Sequence, residues 1–493
     1  MSTRKERIKD YILIWLISLS VLQLGFYWTY QNKDMLTTFW NKIYKRDKTS
    51  FEINEFFRPD RIIVSEGFDG NHFILKKNIQ EYNYLWNDAK KYLKEFLKTG
   101  DYEEETPYTD EIWGNIIIKK SIMLEFDGDI DSALISTFLG NNFKANILPQ
   151  NIKKVVMQPF ESVNNTMIFY VASKDNIVKV CSPIKQNRLS KEFYDNLINS
   201  VSDKNILTNY SLMKEIFPNN TTAPFNICSD VLIAIDENSV ERYNTYFSML
   251  PILLDDITLN DNSDLDDLSE EILGSNKDYY DIGVDLDNTI VFKNLESIFR
   301  IYKDGLLEYK YLGNIHDDLG NNIAKSFKKT TEFVAGLKEL IEGADITLVK
   351  TEKVTNKDMQ GYKFIFDYKL DDVPVVINNY KSNIIPGVTL NNAIEIISTN
   401  SRVVSCFWIL RDFDTAITDV EYCVGFAQLL DDLFVQYNLD KDRFQILDID
   451  DSYVINFEEE DVLVPNIMIK SSDRDYYMLP FTRKDERIGL VSG

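Results

Sequence analysis

The chain has 493 residues, of which 54 are lysine or arginine and 78 are aspartate or glutamate, so its net charge at pH 7 is −24. Hydrophobic residues make up 44% of the sequence and aromatic residues 13%, which excludes a disordered chain and is typical of a protein with two or three folded domains. The negative charge excludes nucleic acid as a partner.

An uncharged apolar segment runs from Tyr11 to Tyr30. A helix of about 20 residues spans about 30 Å, the thickness of the hydrocarbon core of a bilayer. The segment ends in bulky aromatic residues rather than a small-residue cleavage site, and basic residues precede it, so the positive-inside tendency applies. We expect a cytoplasmic tail over 1–10 and an uncleaved signal anchor over 11–30. The bulk of the chain is then extracytoplasmic, attached to the cell membrane by one span.

Three residues of the predicted span, Ser20, Gln23 and Tyr27, share one helix face by their spacing. A glutamine in hydrocarbon needs a hydrogen-bond partner, which a neighbouring transmembrane helix supplies. We therefore predict these residues as the contact with a partner helix. The alternative is a glutamine that bonds to its own backbone or reaches the interface.

A polar and basic spacer is predicted over 31–55, followed by a first α+β domain over 56–160. In this domain Arg61 begins a short apolar strand, and apolar residues at helical spacing predict an amphipathic helix over 79–98. A strand over 116–126 and a helical stretch toward Leu139 complete it.

A central α+β domain is predicted over 161–312. It opens with a hairpin whose turn is Ser173 to Asn176, and a second hairpin turns at Asp304-Gly305. The intervening segment 255–278 is rich in acidic residues, which favours a solvated loop.

A C-terminal α+β domain is predicted over 313–493. The sequence indicates a helix that ends at Gly343, a strand from Tyr362 to Tyr368, and a strand over 403–410. Thr418 and Glu421 have capping-box spacing for a helix that ends near 439, and a hairpin over 465–480 follows. The predicted fold class is α+β, with one N-terminal transmembrane helix and a multi-domain ectodomain of antiparallel sheets packed with helices.

The chain contains four cysteines, Cys181, Cys228, Cys406 and Cys423, which are too few to form the framework of so large a protein. We interpret them as small buried hydrophobic residues, and the sequence leaves open whether any of them form disulfides. Cys423 fits the apolar face of the helix expected after Thr418. With only two histidines and no CxxC motif, we predict no metal site and no cofactor.

The best catalytic candidate is the segment 283–290, GVDLDNTI, with Asp285 and Asp287. It resembles the first motif of haloacid-dehalogenase-type phosphatases, in which the first aspartate is the nucleophile and Mg²⁺ neutralises charge. The downstream Ser or Thr, the Lys and the second acidic pair of that family have no convincing counterparts. We therefore interpret the segment as an acidic turn and expect no enzyme.

Several local patterns occur together along the chain: the short basic tail and single anchor ending in Trp28-Thr29-Tyr30, Phe57-Arg58-Pro59 before the first strand, Glu111-Ile112-Trp113, the stretch from Ile290 through Asp304-Gly305 to Glu308-Tyr309, and the C-terminal helix and hairpin. In this layout the chain resembles the YycH and YycI family, exported regulators of the WalK/WalR two-component system of Gram-positive bacteria.

This resemblance implies a non-enzymatic regulator that contacts a WalK-type sensor histidine kinase through its transmembrane helix and ectodomain and so influences cell-wall metabolism. It also implies a YycI-type partner beside the chain. Two alternatives are an anchored acid phosphatase that uses Asp285 and Asp287, and an anchored module that binds a cell-wall polymer or a lipid.

Overall fold

The computed structural model describes most of the chain beyond residue 57. The described ranges are 58–68, 70–77, 80–139, 148–158, 166–183, 209–216, 226–234, 240–251, 262–285, 288–313, 322–355, 359–382, 385–423, 426–439, 444–457, 461–472 and 476–483.

The N-terminal part forms a nine-stranded sheet with helices on both faces. Its strands follow the order β10-β8-β2-β1-β4-β5-β6-β7-β3, and every pairing in it is antiparallel. The elements in chain order are β1 (Arg61–Ser65), β2 (His72–Leu75), α1 (Gln80–Thr99), β3 (Asp101–Pro107), α2 (Asp110–Ile117), β4 (Ser121–Asp131), α3 (Ser132–Leu139), β5 (Asn151–Gln158), β6 (Thr166–Ala172), β7 (Asn176–Pro183), β8 (Tyr210–Leu212), α4 (Met213–Ile216), β9 (Asn226–Ile227), which joins another sheet, and β10 (Leu232–Ala234).

The predicted amphipathic helix is confirmed as α1, which buries its apolar face against the sheet. Phe96 of α1 stacks on Phe169 of β6 with ring centroids 4.4 Å apart. On the opposite face α2 buries Trp113 among residues such as Ile63 and Val156. The sheet is therefore covered on both sides, which explains why strands such as β1 are buried along their whole length.

Two predictions for this part need correction. Residues 116 and 117 end helix α2 rather than begin a strand, because both lie with Trp113 on the buried face of that helix. Thr109 caps the start of the helix by accepting a hydrogen bond from the Ile112 amide. The sheet also continues through the predicted domain boundary at 160, since β5 pairs with β6. The hairpin with its turn at Ser173 to Asn176 is confirmed as β6 and β7.

The middle of the chain supplies strands of two further sheets. Its elements are β11 (Val240–Met249), α5 (Asn262–Leu273), a 3-10 helix (Gly274–Tyr279), β12 (Asp281–Val284), β13 (Ile290–Lys293), β14 (Ser297–Ile301) and β15 (Leu306–Tyr311). Of these, β11 belongs to a four-stranded sheet, and β12 to β15 belong to a 13-stranded one. The hairpin at Asp304-Gly305 is confirmed between β14 and β15, and Gly305 has the positive φ of +84° that this turn requires.

The prediction of a loop over 255–278 is wrong from residue 262 onward, where α5 and the 3-10 helix lie. Leu268, Ile272 and Leu273 recur at helical spacing and are buried. This apolar stripe binds the helix to the core although the rest of its surface is acidic. Residues 255–261 lie outside the described residues.

The C-terminal part completes a 13-stranded sheet. Its elements are α6 (Ile323–Leu337), a 3-10 turn (Lys338–Leu340), β16 (Asp345–Thr355), β17 (Gln360–Leu370), β18 (Val373–Ile377), β19 (Tyr380–Lys381), β20 (Thr389–Leu390), β21 (Ile394–Ser398), β22 (Val403–Ile409), β23 (Asp412–Cys423), α7 (Phe426–Tyr437), β24 (Gln445–Ile455), β25 (Asp461–Leu463), β26 (Asn466–Ser471), β27 (Tyr476–Pro480) and β28 (Thr482–Arg483).

The main path of this large sheet is β12-β13-β14-β15-β22-β21-β17-β18-β24-β26-β27, with β16 beside β17 and β9 beside β24. The predicted boundary at 312 therefore divides strands of one sheet. Helix α6 packs on it through Phe327, whose ring lies 5.2 Å from that of Phe364. The predicted helix, the strands at 362–368 and 403–410, and the last hairpin are all confirmed.

The predicted capping box is wrong. Thr418 and Glu421 lie in β23, which pairs with β11 over most of its length, and the helix begins only at Phe426. Cys423 consequently ends a strand instead of lying on a helix face. All four cysteines are free, and Cys406 is the one that is fully buried.

A four-stranded sheet has the order β25-β11-β23-β28, and β19 and β20 pair as a separate two-stranded sheet. One continuous apolar core extends from Ile62 of β1 to Leu463 of β25, and Phe138 of α3 packs edge-on against Phe327 of α6. The described residues thus form mainly antiparallel sheets with packed helices, an α+β fold as predicted. Among them, no helix is both long enough and apolar enough to span a bilayer.

Candidate functional site

The residues predicted to contact a partner helix, Ser20, Gln23 and Tyr27, lie outside the described residues, as does the whole predicted anchor. They stay predictions.

Asp285 lies in a hairpin turn between β12 and β13 at the edge of the large sheet. Its amide donates to the Thr289 carbonyl over 2.8 Å, and Asn288 takes a left-handed φ of 65° in the same turn. Asp287 lies outside the described residues. The phosphatase motif requires the end of a parallel strand, whereas β12 and β13 are antiparallel. The local structure therefore agrees with an acidic turn.

One group in the described part of the chain has the spacing of metal ligands. It consists of Asp110, Cys228 and Asp230, whose ligand atoms lie within 4.8 Å of one another. These atoms already have other partners, since Asp230 binds Lys154 and the Trp113 indole, and Asp110 accepts two hydrogen bonds from Ser229. Burial raises the pKa of the Cys228 thiol to about 12. The ion pair and hydrogen bonds of the two aspartates account for this group without a metal ion.

The most unusual polar feature is a buried charge cluster where the nine-stranded sheet meets β24 and β26. We call it the junction cluster, and its members are Arg61, Lys76, Glu125, Lys154, Asp230, Glu241, Asp448, Asp450, Asp451 and Lys470.

Arg61 at the start of β1 is the centre of the junction cluster. Its guanidinium donates to Glu125 of β4 over 2.5 Å and to Asp448 of β24 over 2.9 Å. Lys154 of β5 lies 3.2 Å from the other Glu125 oxygen, and Lys470 of β26 lies 3.2 Å from Asp448. Arg61 thus bridges the two sheets by pairing with a carboxylate on each.

A second part of the cluster surrounds Lys76, which directly follows β2. Its ammonium lies 2.8 Å from Asp451 of β24 and 3.7 Å from Glu241 of β11. The hydroxyls of Tyr210 and Tyr243 both donate to Glu241. Lys76 therefore connects the nine-stranded sheet with the 13-stranded sheet through Asp451 and with the four-stranded sheet through Glu241.

A cavity of about 90 Å³ lies between these groups. Its lining combines charged and tyrosine side chains with apolar residues that include Leu232, Phe426 and Phe481. The cavity is the concave feature that the ligand-binding alternative calls for, but salt bridges already bind most of its polar groups.

Burial and ion pairing act against each other in this cluster. Burial alone would raise the pKa of Glu125, but Arg61 and Lys154 lower it to about 2. The same balance holds the pKa of Asp448 well below its usual range, mainly through Arg61 and Lys470. Asp450 differs, because its burial and the neighbouring Asp451 and Asp60 carboxylates raise its pKa to about 8.

Sequence reasoning missed the junction cluster. A signal was present, since Arg61 precedes three apolar residues of a strand, and Asp448, Asp450 and Asp451 interrupt another apolar strand. Charged residues at such positions indicate buried ion pairs, but the sequence does not reveal which residues pair.

The comparisons with known proteins concern the fold. No protein-family model matches the sequence, and no curated protein sequence matches it. The crystal structure of YycH from Bacillus subtilis superposes with a TM-score of 0.53 at 15% identity, over 89% of this chain and 99% of that one. An uncharacterized protein from Eubacterium rectale ATCC 33656 gives a TM-score of 0.27 at 11% identity, over 52% of this chain and 87% of its own. The resemblance to YycH is confirmed at the level of the fold.

Proposed function

We propose that this chain is a membrane-anchored, non-enzymatic regulator of a WalK-type sensor histidine kinase. The observation that carries the proposal is the likeness of its fold to nearly all of YycH from Bacillus subtilis. The local patterns shared with the YycH and YycI family support it. In this proposal residues 11–30 anchor the chain in the cell membrane, the folded part is extracytoplasmic, and a YycI-type protein is a second partner.

A regulator of this kind acts by binding one conformation of the kinase more tightly than the other. A difference of about 1.4 kcal/mol between the two affinities changes the ratio of the two kinase states tenfold. Such regulation needs no chemical step. This agrees with the position of Asp285 in a turn between antiparallel strands, rather than at the end of a parallel strand as the phosphatase motif requires.

The regulatory role is tested by the phosphorylated fraction of the cognate response regulator in living cells. Deleting the chain should change this fraction severalfold, and the full-length chain should restore it. A chain with residues 11–30 replaced by an unrelated transmembrane segment should restore it less. An unchanged fraction after deletion would contradict the proposal.

Replacing Gln23 with leucine should weaken co-purification of the kinase. The glutamine amide is the strongest hydrogen-bonding group of the predicted contact face, and an interhelical hydrogen bond is worth about 0.5 to 2 kcal/mol. The dissociation constant should therefore rise by roughly 2-fold to 30-fold. The measurement is the ratio of kinase to bait after mild detergent extraction.

Gln31→Leu is the matched control, because it makes the same chemical change just beyond the apolar segment. We expect this variant to retain the wild-type ratio. Equal ratios for Gln23→Leu and wild type would remove Gln23 from the contact.

A further inference from the structure

Asp450 has the longest ion-pair distances of the carboxylates in the junction cluster. Among the described residues its nearest cationic atoms are Arg61 Nη1 at 3.8 Å and Lys470 Nζ at 4.0 Å. Both cations lie closer to Asp448, at 2.9 and 3.2 Å. The Asp450 carboxyl accepts a 3.1 Å hydrogen bond from the Asp451 amide, and a side-chain hydrogen bond joins it to the Asp451 carboxylate, whose pKa is lowered in part by that bond. Asp450 therefore has much less compensation for its charge than Asp448.

The groups that surround Asp450 come from every element at the junction. Arg61 lies on β1 with Asp60 before it, Lys470 lies on β26, and Asp448 and Asp451 share β24 with Asp450. The cavity places further groups near it, namely Lys76, Tyr210, Glu241 and Tyr243.

Most of these cations already have a carboxylate partner at shorter distance. Lys76 pairs with Asp451, and Lys369 of β17 pairs with Asp60. Only 13% of the Asp450 side chain is exposed, so water does little to stabilise a charge there. An ionised Asp450 would add a third carboxylate to β24 between Asp448 and Asp451 at the junction of the two sheets.

We propose that the junction between the nine-stranded sheet and strands β24 and β26 is a proton-operated contact, in which the closed junction keeps a proton on Asp450 and opening releases it. Opening hydrates the carboxylate and separates it from Asp451 and Asp60. The proton therefore favours the closed arrangement, and its loss favours the open one.

The pH range follows from the two protonation equilibria of Asp450. In the closed junction burial and the adjacent carboxylates raise its pKa to about 8, whereas in the open junction it approaches the ordinary value of 3.8. Stabilisation of the closed state by the proton is complete below the lower pKa and decreases as pH rises toward the upper one. Above about pH 8 both states have lost the proton and the dependence ends.

This inference concerns the junction itself and does not require a kinase partner. If the proposed extracytoplasmic placement also holds, the junction meets the external medium, and external pH is then a signal that the regulator can transmit. That second step rests on the proposed function.

Amide hydrogen exchange in the full-length protein tests the contact. Wild type and Asp450→Asn are compared at each pH between 5 and 9, so the intrinsic pH dependence of amide exchange and the effects of all groups common to both proteins cancel. Asparagine has the shape of a protonated aspartate and cannot ionise. For amides in β1 and β24, the exchange rate of the wild type divided by that of the variant should rise with pH. The rise should be up to tenfold per pH unit until about pH 8, above which the ratio should level off.

Two controls keep the result specific. Asp432→Asn changes an exposed aspartate on α7 and should match wild type at every pH. Within the wild-type protein, peptides from β14 and β15 lie outside the junction and should show no extra pH dependence, which provides a test even if a variant folds poorly. A ratio that stays constant from pH 5 to 9, or an equal response in β14 and β15, would overturn the proposal.

Discussion

An Arg61→Met protein should lose about 3 kcal/mol or more of its free energy of unfolding, because a buried ion pair that loses one partner leaves an uncompensated charge. Arg61 pairs with Glu125 and Asp448, and all three side chains are about nine-tenths buried. Methionine fills a similar volume but supplies neither charge nor donors. Lys154 and Lys470 remain near the two carboxylates, which keeps the loss toward the lower end of the range for buried pairs.

Urea denaturation of the detergent-solubilised full-length protein measures this loss. The matched control is Arg242→Met, which removes an arginine paired with Glu421 at an exposed position. Exposed pairs contribute little, so we expect the control to unfold at the wild-type urea concentration. If both variants unfold at the wild-type urea concentration, Arg61 does not hold the two sheets together.

Replacing Trp408 with alanine should cost about 3 to 5 kcal/mol of the free energy of unfolding, which is the usual range for a large aromatic residue lost from a core. Trp408 is fully buried on β22, and its indole donates a 2.7 Å hydrogen bond to the Tyr368 hydroxyl. That hydroxyl in turn donates to the Ile409 carbonyl over 2.6 Å. The change therefore creates a cavity and also shortens a buried hydrogen-bond chain.

Thermal and urea unfolding of the two proteins measure the effect. Tyr84→Ala is the control, because this large aromatic residue on α1 is 63% exposed. Its truncation should change the free energy of unfolding by less than about 0.5 kcal/mol. A Trp408→Ala protein as stable as the control would mean that the centre of the large sheet is not packed as described.

Elements with a strong local pattern were predictable from the sequence. Helix α1 has an apolar stripe over 20 residues, and the hairpin at Asp304-Gly305 has the turn residues that its geometry requires. Strand β17 places the buried aromatic residues Phe364, Phe366 and Tyr368 at alternate positions. In each case the residues that determine the element lie within the element itself.

The errors arose where distant contacts override local preference. Thr418 and Glu421 have the spacing of a helix start, but pairing with β11 places them in a strand. Helix α5 has an acidic surface, and the few apolar residues that fix it matter only because a core is there to receive them. Neither the pairing of β23 with β11 nor the packing of α5 on the core can be inferred from the local sequence.

The junction cluster was likewise not predictable from local sequence, because its ion pairs join residues that are far apart in the chain. Arg61 and Asp448 are 387 positions apart, and nothing in either strand identifies the other as its partner. The presence of buried charge was foreseeable from Arg61 at the start of an apolar strand. Its pairing, and the position of Asp450 beside it, depend on how two sheets meet.

The most direct test of the proposed function is crosslinking and pull-down of the full-length protein from native membranes. The comparison is the same chain with residues 11–30 replaced by an unrelated transmembrane helix. We predict that a sensor histidine kinase is recovered with the native chain and is reduced or lost with the exchanged helix. Recovery of no kinase with either chain would contradict the regulator proposal.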